Sequence, residues 1–450
     1  MDFSGRKIVV IGLGRTGIAT TKFLDRIGAR VLVVDDKRES ELEEALHLLG
    51  DVMADMRLGS YDSHVLDGID LVVPSPGVPP SSALLVAAAE RGIPIISEIE
   101  LAQRFLHTPM IAITGTNGKT TTTDLIGTIL SRWGKKVFVG GNIGNPLIGY
   151  AGGSQDDDYL VVEVSSFQLQ WIETFRPFVS ILLNVTSDHL DYHHSFEEYR
   201  RVKERIFENQ RCGDLAILNA DDALSTRLAK RLHTEVRFFS SSMKLSGGIY
   251  LNETMMKYRD DMNDEKYPTR GIKLPGIHNI ENIMAAILAA RWCGCPTDVI
   301  SAAIEEFHGL PHRMELVGDK YGVEFINDSK GTNVDAVVRA LEAFSKPVIL
   351  LLGGRNKGGS FSVLSGLIKE RVKELVLFGE AREEIGRNIG LVVKTKSVSN
   401  LGEAAEIAWK DSSPGDVVLL SPGCASFDEF SNYEERGDFF RDWVRRITTL

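Results

Sequence analysis

The sequence predicts an α/β protein of three domains. The first and last are Rossmann-like, and the middle one is built on a phosphate loop. Three observations carry this prediction. A chain of 450 residues suits about three domains. Two apolar runs, Lys7-Ile-Val-Val-Ile11 and Met110-Ile-Ala-Ile113, each lead through a glycine turn into a helical period. Beyond residue 311, apolar strands alternate with helices, as in a parallel sheet covered on both faces. Seams at Thr108-Pro109 and near Pro311 give expected domains of 1–108, 109–311 and 312–450.

Composition narrows the function. Apolar residues make up 43% and charged residues 25%, ordinary for a soluble protein with real cores. A net charge of −11 argues against a general nucleic-acid or membrane-surface binder. No apolar run is long enough to span a bilayer. Met1-Asp-Phe-Ser-Gly-Arg-Lys7 enters directly into a strand, so no signal peptide is expected. Cys212, Cys293, Cys295 and Cys424 form no zinc spacing and fit a reducing cytosol. The expected location is cytoplasmic.

In the first domain, the strand at 7–11 is followed by Gly12-Leu-Gly14-Arg-Thr-Gly17 and a helix carrying Ile18, Phe23, Leu24 and Ile27. Arg30-Val-Leu-Val-Val34 then ends at Asp35-Asp36. This is the dinucleotide-binding fingerprint with its acid at about the right distance, and by itself it favours NAD. A tight turn holding another diphosphate, or none, is the alternative. Ile69-Asp-Leu-Val-Val73 reads as the third strand and opens onto Pro74-Ser-Pro-Gly-Val-Pro-Pro80. Ala83 to Arg91 reads as a helix, and Ile93-Pro-Ile-Ile96 as an edge strand.

The central domain is organised around Thr114-Gly-Thr-Asn-Gly-Lys-Thr-Thr-Thr-Thr123. Glycines let backbone N–H groups close around phosphate, and a helix N-terminus adds favourable partial charge. Lys119 would reach the outer phosphates and Thr120 could hold Mg²⁺. The spacing departs from the usual phosphate loop, with only two residues between Gly115 and Gly118, and a hairpin through Asn117-Gly118 is the competing reading. Leu125, Ile126, Ile129, Leu130 and Trp133 at helical spacing favour the loop. Lys136-Val-Phe-Val139 is a strand ending at Gly140-Gly-Asn-Ile-Gly-Asn-Pro146. Glu163 closes the next apolar strand, 159–163. Its natural partner beside a phosphate loop is Mg²⁺, the alternative being an exposed acid on an edge strand.

Thr186-Ser-Asp-His-Leu-Asp-Tyr-His-His194 holds three histidines and two aspartates at a spacing unlike a zinc protease. His189 is a candidate ligand for a second Mg²⁺, although a hard cation favours oxygen. His193 and His194 read as surface histidines. On the helix 196–209, Lys203 reads as a surface lysine whose stem lies along the apolar face. Residues 240–272 are polar and read as short strands and loops without chemistry. The helix opened by Leu274-Pro-Gly-Ile-His-Asn279 places Asn279 and Asn282 on one face. Their amides suit an adenine edge, and Asn279 is equally a candidate N-cap. In the last domain, strands at 323–326, 347–352, 374–378 and 416–420 alternate with helices. Three strand ends carry polar loops: Asn327–Asn333, Gly353–Gly359 and Ser421–Glu429.

Seven of these segments, taken together, resemble the Mur ligases of bacterial cell-wall synthesis. They are Gly115-Thr-Asn-Gly-Lys-Thr120, Glu163-Val-Ser-Ser-Phe-Gln-Leu169, Asn184-Val-Thr-Ser-Asp-His189, Leu274-Pro-Gly-Ile-His-Asn279, Leu310-Pro-His-Arg313, Asn327-Asp-Ser-Lys330 and Ser421-Pro-Gly-Cys-Ala-Ser-Phe-Asp428. The resemblance runs in order along essentially the whole chain. It implies a UDP-sugar domain, a central P-loop ATPase-like domain and an amino-acid domain. It also implies an ATP-dependent amide ligase that joins D-glutamate to UDP-N-acetylmuramoyl-L-alanine through an acyl phosphate, as a monomer. That reaction belongs to peptidoglycan synthesis, and through it to cell shape and division. The NAD reading of Gly12–Gly17 gives way to a UDP diphosphate.

Site residues follow from the same resemblance. Gly115, Thr116, Asn117, Gly118, Lys119, Thr120 and Thr121 would hold ATP, with Asn279, Asn282, Arg313, Asp328 and Lys330. Two Mg²⁺ ions would be held by Thr120, Glu163, His189 and a carbamylated Lys203, with Lys119, Glu163, His189 and Lys203 forming the catalytic set. Arg15, Thr16, Asp36, Lys37, Ser75, Pro76, Gly77, Asn142 and His189 would face the UDP-sugar. Thr332, Lys357, Ser426 and Tyr433 would hold the glutamate carboxylates, as a cation with hydroxyls suits a dianion. The loop at Arg355-Asn-Lys-Gly358 and the aromatic at Tyr433 depart somewhat from the family pattern. Competing functions are a folylpolyglutamate-type ligase, an NAD-dependent oxidoreductase or sensor, and a scaffold that binds ATP without turnover.

Overall fold

A computed structural model describes residues 3–186, 192–193, 195–260, 264–274, 276–356 and 358–449. Their strands form three sheets. In the first, β1 (Lys7–Ile11), β2 (Arg30–Asp35), β3 (Ala54–Leu58) and β4 (Leu71–Pro74) lie parallel in the order β3-β2-β1-β4. β3 was not expected. It is an edge strand, half-exposed and carrying Asp55 and Arg57, so no apolar run marks it. The expected strand at 93–96 supplies only a bridge from Ile95 to Val72, since Pro94 has no N–H to give a ladder.

The second sheet comprises β5 (Met110–Thr114), β6 (Val137–Gly141), β7 (Tyr159–Glu163), β8 (Val179–Leu182), β9 (Leu215–Asn219), β10 (Glu235–Ser240), β11 (Gly248–Asn252), β12 (Met255–Arg259) and β13 (Asp264–Pro268). Its order is β13-β12-β11-β10-β9-β8-β5-β7-β6. The pairs from β6 through to β11 are parallel, whereas β11–β12 and β12–β13 are antiparallel. The polar stretch after 240 thus supplies three short strands, as expected. β7 lies between β5 and β6, so Glu163 is not on an edge. The helix Lys119–Arg132 follows β5 directly, which overturns the hairpin reading.

The third sheet holds β14 (Glu315–Lys320), β15 (Val323–Asn327), β16 (Val348–Gly353), β17 (Val372–Phe378), β18 (Lys394–Ser397) and β19 (Val417–Gly423), ordered β14-β15-β19-β16-β17-β18. β14 runs antiparallel to β15, and the remaining pairs are parallel. Alternate residues of β16 point to opposite faces. Leu350 and Leu352 pack with Phe361, and Ile349 and Leu351 with Phe440.

By compactness the chain divides into one unit of residues 1–268 and 281–304 and another of 269–280 and 305–450. Within the first unit, both sheets share one core that includes Phe3, Phe23, Leu147, Ile148 and Phe175. The helix Glu98–Gln103 joins them through two buried carboxylates. Glu100 accepts from the backbone N–H groups of Glu173 (3.0 Å), Thr174 (2.9 Å) and Phe175 (2.8 Å), from the Thr174 hydroxyl (2.7 Å) and from Arg104 (3.1 Å). Burial opposes its charge, but the Thr174 hydroxyl, these N–H groups and Arg104 outweigh burial and hold its pKa below the ordinary value. Glu98 accepts from Ile148 N–H (2.6 Å) and the Gln168 amide (3.4 Å). Burial pushes this carboxyl up to about 7, against the pull of both donors. No described helix is long and apolar enough to cross a membrane.

Candidate active site

The phosphate loop leaves β5 with Gly115 at φ +154° and Gly118 at φ +86°. A Cβ at Gly118 would lie 2.2 Å from Asn282 Oδ1, so both the backbone and the packing require glycine there. The loop is tied to the chain beyond β8. Asn117 N–H donates to Asn184 Oδ1 (2.9 Å), and Asn184 Nδ2 donates to the Asn117 carbonyl (3.0 Å). Thr116 Oγ1 accepts from Thr186 N–H (3.0 Å) and donates to its carbonyl (3.2 Å). Lys119 Nζ lies over the loop, donating to the carbonyls of Gly115 (2.9 Å) and Thr116 (2.8 Å). Thr121 is buried behind it, and the helix N-terminus has no side-chain cap.

Glu163 ends β7 at 2% exposure. Its carboxylate accepts from the Thr120 hydroxyl (2.7 Å) and the Asn142 amide (3.0 Å). The expected pair Thr120 and Glu163 is thus brought together, with Asn142, at the C-terminal ends of β5, β7 and β6. A buried carboxylate held by two neutral donors suits a hard cation. Lys203 corrects the reading from its helix: it is 1% exposed, not on the surface. Its Nζ donates to the Gly115 carbonyl (2.9 Å) and sits 4.5 Å from the centre of the Tyr199 ring. Lys119 and Lys203 therefore share one carbonyl oxygen. His193, expected on the surface, is fully buried, with Nε2 3.0 Å from Ser166 Oγ and its ring among Phe167, Tyr192 and Tyr199. His189, His194 and Lys357 lie outside the described residues.

At the end of the first sheet, Gly12 (φ +89°) meets the loop after β4, where Ser75 Oγ donates to the Gly12 carbonyl (2.9 Å). Val78 N–H donates to the Ser75 carbonyl (3.0 Å), closing a turn with Pro76-Gly77 at its centre. Of the two acids after β2, Asp35 braces the turn: it accepts from Leu13 N–H (2.7 Å) and Lys37 N–H (2.9 Å). Asp36 and Lys37 are exposed beside it, with Asp36 accepting from the Tyr61 hydroxyl (2.5 Å). Thr16 is half-buried, and Arg15 donates to the Gly144 carbonyl (3.3 Å), in the loop that carries Asn142. Tyr192 donates to the Val78 carbonyl (3.1 Å). Thr16, Asp36, Lys37, Ser75, Pro76 and Gly77 thus lie at one end of the first sheet, and Arg15 reaches from there to the loop that carries Asn142.

Asn279 lies within the helix Ile277–Trp292 and is buried, which removes its reading as an N-cap. In the second unit, Asp328 accepts from the Ser421 hydroxyl (2.8 Å) and Met314 N–H (3.3 Å). Burial pushes it up to about 7, against the Ser421 and Met314 donors and the charges of Arg313 and Arg436. Lys330 Nζ sits 3.7 Å from the centre of the Tyr433 ring, and Thr332 N–H donates to the Lys330 carbonyl (2.8 Å). Ser426 is buried in the loop that follows β19. Sequence reasoning did not single out Arg436. It sits among several basic residues of the helix Tyr433–Thr449 but is 1% exposed, and no spacing distinguishes it.

Comparison with known proteins identifies the family. Residues 6–97 match a family model described as the Mur ligase MurD-like N-terminal domain, 113–290 the Mur ligase middle domain, and 312–424 the Mur ligase glutamate ligase domain. The chain is 55% identical to a UDP-N-acetylmuramoylalanine–D-glutamate ligase of Syntrophus aciditrophicus, covering 99% of each. It is 47% identical to one of Geobacter metallireducens, covering 100% of this chain and 99% of that one. The fold is shared with a MurF ligase from Thermotoga maritima in complex with ADP (TM-score 0.61, 16% identity, 93% of this chain and 96% of that one). It is also shared with a UDP-N-acetylmuramate–alanine ligase from the same organism (TM-score 0.59, 20% identity, 98% and 99%). Matched over most of its length by these family models and over 99% or more of it by these relatives, the chain belongs to the Mur ligase family.

Proposed function

We infer that the protein is a cytoplasmic ATP-dependent ligase that joins D-glutamate to UDP-N-acetylmuramoyl-L-alanine in peptidoglycan precursor synthesis. The convergence of Lys119, Thr120, Glu163 and Asn142 on one loop supports phosphoryl transfer. The names of the full-length relatives support the choice of D-glutamate. Such a reaction needs charge neutralisation and alignment more than a protein nucleophile.

In this reading the backbone of Gly115–Gly118 and the following helix N-terminus cradle the ATP phosphates, and Lys119 moves from the loop carbonyls to the outer phosphates. Asn279, Asn282, Arg313, Asp328 and Lys330 are assigned to the nucleotide. Thr120 and Glu163 would hold one Mg²⁺ and His189 a second, and the metal would neutralise charge on the transferring group. Two ammonium groups on the Gly115 carbonyl repel each other in a buried site. Carbamylation of Lys203 would replace one of these charges with an acid that can bind metal. The turn at Gly12, with Arg15, Thr16, Asp36, Lys37, Ser75, Pro76 and Gly77, orients the UDP-sugar, and Asn142 faces its acyl end. The amine of D-glutamate, held by Thr332, Lys357, Ser426 and Tyr433, attacks the acyl phosphate and phosphate leaves.

The test is phosphate release from ATP with UDP-N-acetylmuramoyl-L-alanine, offering D-glutamate, L-glutamate, lysine and diaminopimelate in parallel. Release with D-glutamate alone is expected. Release with another amino acid instead would overturn the assignment of Thr332, Lys357, Ser426 and Tyr433. Mass spectrometry of the intact protein checks Lys203 for added CO₂.

A further inference from the structure

The turn Ser75-Pro-Gly-Val78, assigned above to the UDP-sugar, has an open tip. Gly77 is exposed, and a Cβ there would meet nothing within 4 Å. The two stems therefore set its geometry. The near stem is fixed to the first sheet: Ser75 N–H donates to the Ile11 carbonyl (2.8 Å) and Ser75 Oγ to the Gly12 carbonyl (2.9 Å). The far stem is fixed from the side of the second sheet. The Val78 side chain packs in an apolar cluster that includes Trp171, and the Val78 carbonyl accepts from the Tyr192 hydroxyl (3.1 Å). Apolar packing is non-directional and sets how deep Val78 sits. The hydrogen bond has a direction and sets which way the peptide faces. Burial pushes the pKa of the Tyr192 hydroxyl up, so it keeps its proton and donates.

Tyr192 is itself held from the side of Glu163. Its ring centre lies 4.2 Å from that of Phe167 and 4.9 Å from that of His193. Phe167 belongs to the short helix Ser166–Leu169, which follows β7 and Glu163. His193 Nε2 lies 3.0 Å from the Ser166 hydroxyl of the same helix. That helix is closed at its start by reciprocal bonds: Gln168 N–H donates to Ser165 Oγ (3.3 Å) and Ser165 N–H to Gln168 Oε1 (3.0 Å). A short, packed path thus runs from Glu163 through Phe167 and Tyr192 to the carbonyl of Val78. At its two ends lie the assigned metal carboxylate and the assigned UDP-sugar turn, the two parts that have to be aligned for transfer.

We propose that Tyr192 is a positioning residue for the UDP-sugar: its hydroxyl orients the turn Ser75–Val78 relative to Glu163, so that the acyl end of the substrate is presented to the transferring phosphate. This rests on the ligase reading above.

The experiment compares the full chain with Tyr192→Phe and Phe167→Leu. Calorimetry measures binding of UDP-N-acetylmuramoyl-L-alanine without ATP, and steady-state kinetics varies each substrate in turn. Binding by the wild type tests the ligase reading by itself, and only the variants test Tyr192. Tyr192→Phe keeps the ring beside Phe167 and loses only the donor. Its Kd and KM for the UDP-sugar should rise about three- to tenfold. Its KM for ATP should stay within about twofold of wild type. A wild-type Kd for the UDP-sugar overturns the proposal. So does a KM for ATP that rises in step, since Tyr192 would then be a general prop. If Tyr192→Phe does not fold, Phe167→Leu decides. It leaves the hydroxyl and removes the ring that steadies it, and a raised UDP-sugar Kd supports the proposal while a wild-type value sinks it.

Discussion

The turns at Gly12–Gly17 and Gly115–Gly118 are the same construction, a parallel strand running through glycines into a helix, yet they are completed in opposite ways. In the first, the acid at the end of the next strand, Asp35, folds back onto the turn's own backbone at Leu13. Gly17 is packed so tightly that a Cβ would lie 1.8 Å from the Gly12 carbonyl. In the second, Glu163 leaves the backbone alone and reaches the Thr120 hydroxyl and the Asn142 amide. Lys119 rests on carbonyls that any phosphate could replace. A glycine turn thus specifies close approach, and the neighbouring acid decides what approaches. An acid spent on N–H groups makes a rigid rim, whereas one held by neutral side chains stays available to a cation.

The largest expected effect breaks the second turn. Lys119→Ala should lower ligase turnover about a thousandfold while the thermal midpoint stays near wild type. Phosphate release at a wild-type rate would remove the loop from the chemistry. Next, Lys203→Ala should be nearly inactive and regain part of its rate with added acetate or formate. Full activity without them would end its assignment as a metal-binding carbamate. The two glycines sharpen the contrast. Gly17→Ala and Gly118→Ala should each cost about 1–3 kcal/mol in urea unfolding. The first should raise the KM for the UDP-sugar and the second that for ATP, and a reversed pattern would contradict the division of labour.

The smallest effect concerns Glu98, which accepts from Ile148 N–H near the Asn142 loop and from Gln168 in the short helix after Glu163. Its carboxyl is raised from an ordinary 4.5 to about 7. The folded form then keeps a proton that the unfolded form has released, so its contribution to stability falls as pH climbs from about 4.5 to about 7. The thermal midpoint of wild type minus that of Glu98→Gln should fall across this window. A flat difference would mean that Glu98 is ionised throughout.

The phosphate loop was legible because its chemistry is local: glycines, lysine and hydroxyl lie within a few residues, and the helical period follows at once. Lys203 and His193 were not legible. Their burial depends on Gly115 and Ser166, far away in sequence, and nothing on their own helix or turn announces it. β3, β14 and β18 escaped for a different reason. They are half-exposed edge strands whose residues alternate without an apolar run. Arg436 shows the limit most clearly, because one arginine among several on a helix is buried only where Ser329 and Cys424, distant in sequence, close over it. The ligand roles of Lys203 and the amino-acid loops came from family resemblance, not from any periodicity.

The carboxylate joint at Glu98 and Glu100 bears on how this chain can be cut and recombined. A fragment stopping at residue 108 would keep Glu100 with Arg104 but lose the donors at 173–175, and Glu98 would lose both of its donors. Such a fragment carries stranded acids on an apolar surface, a recipe for insolubility and rapid proteolysis. A chimera that exchanges the first sheet with that of another ligase therefore has to carry residues 147–148, 168 and 173–175 with it. By this criterion the first two sheets have to be engineered as a single module.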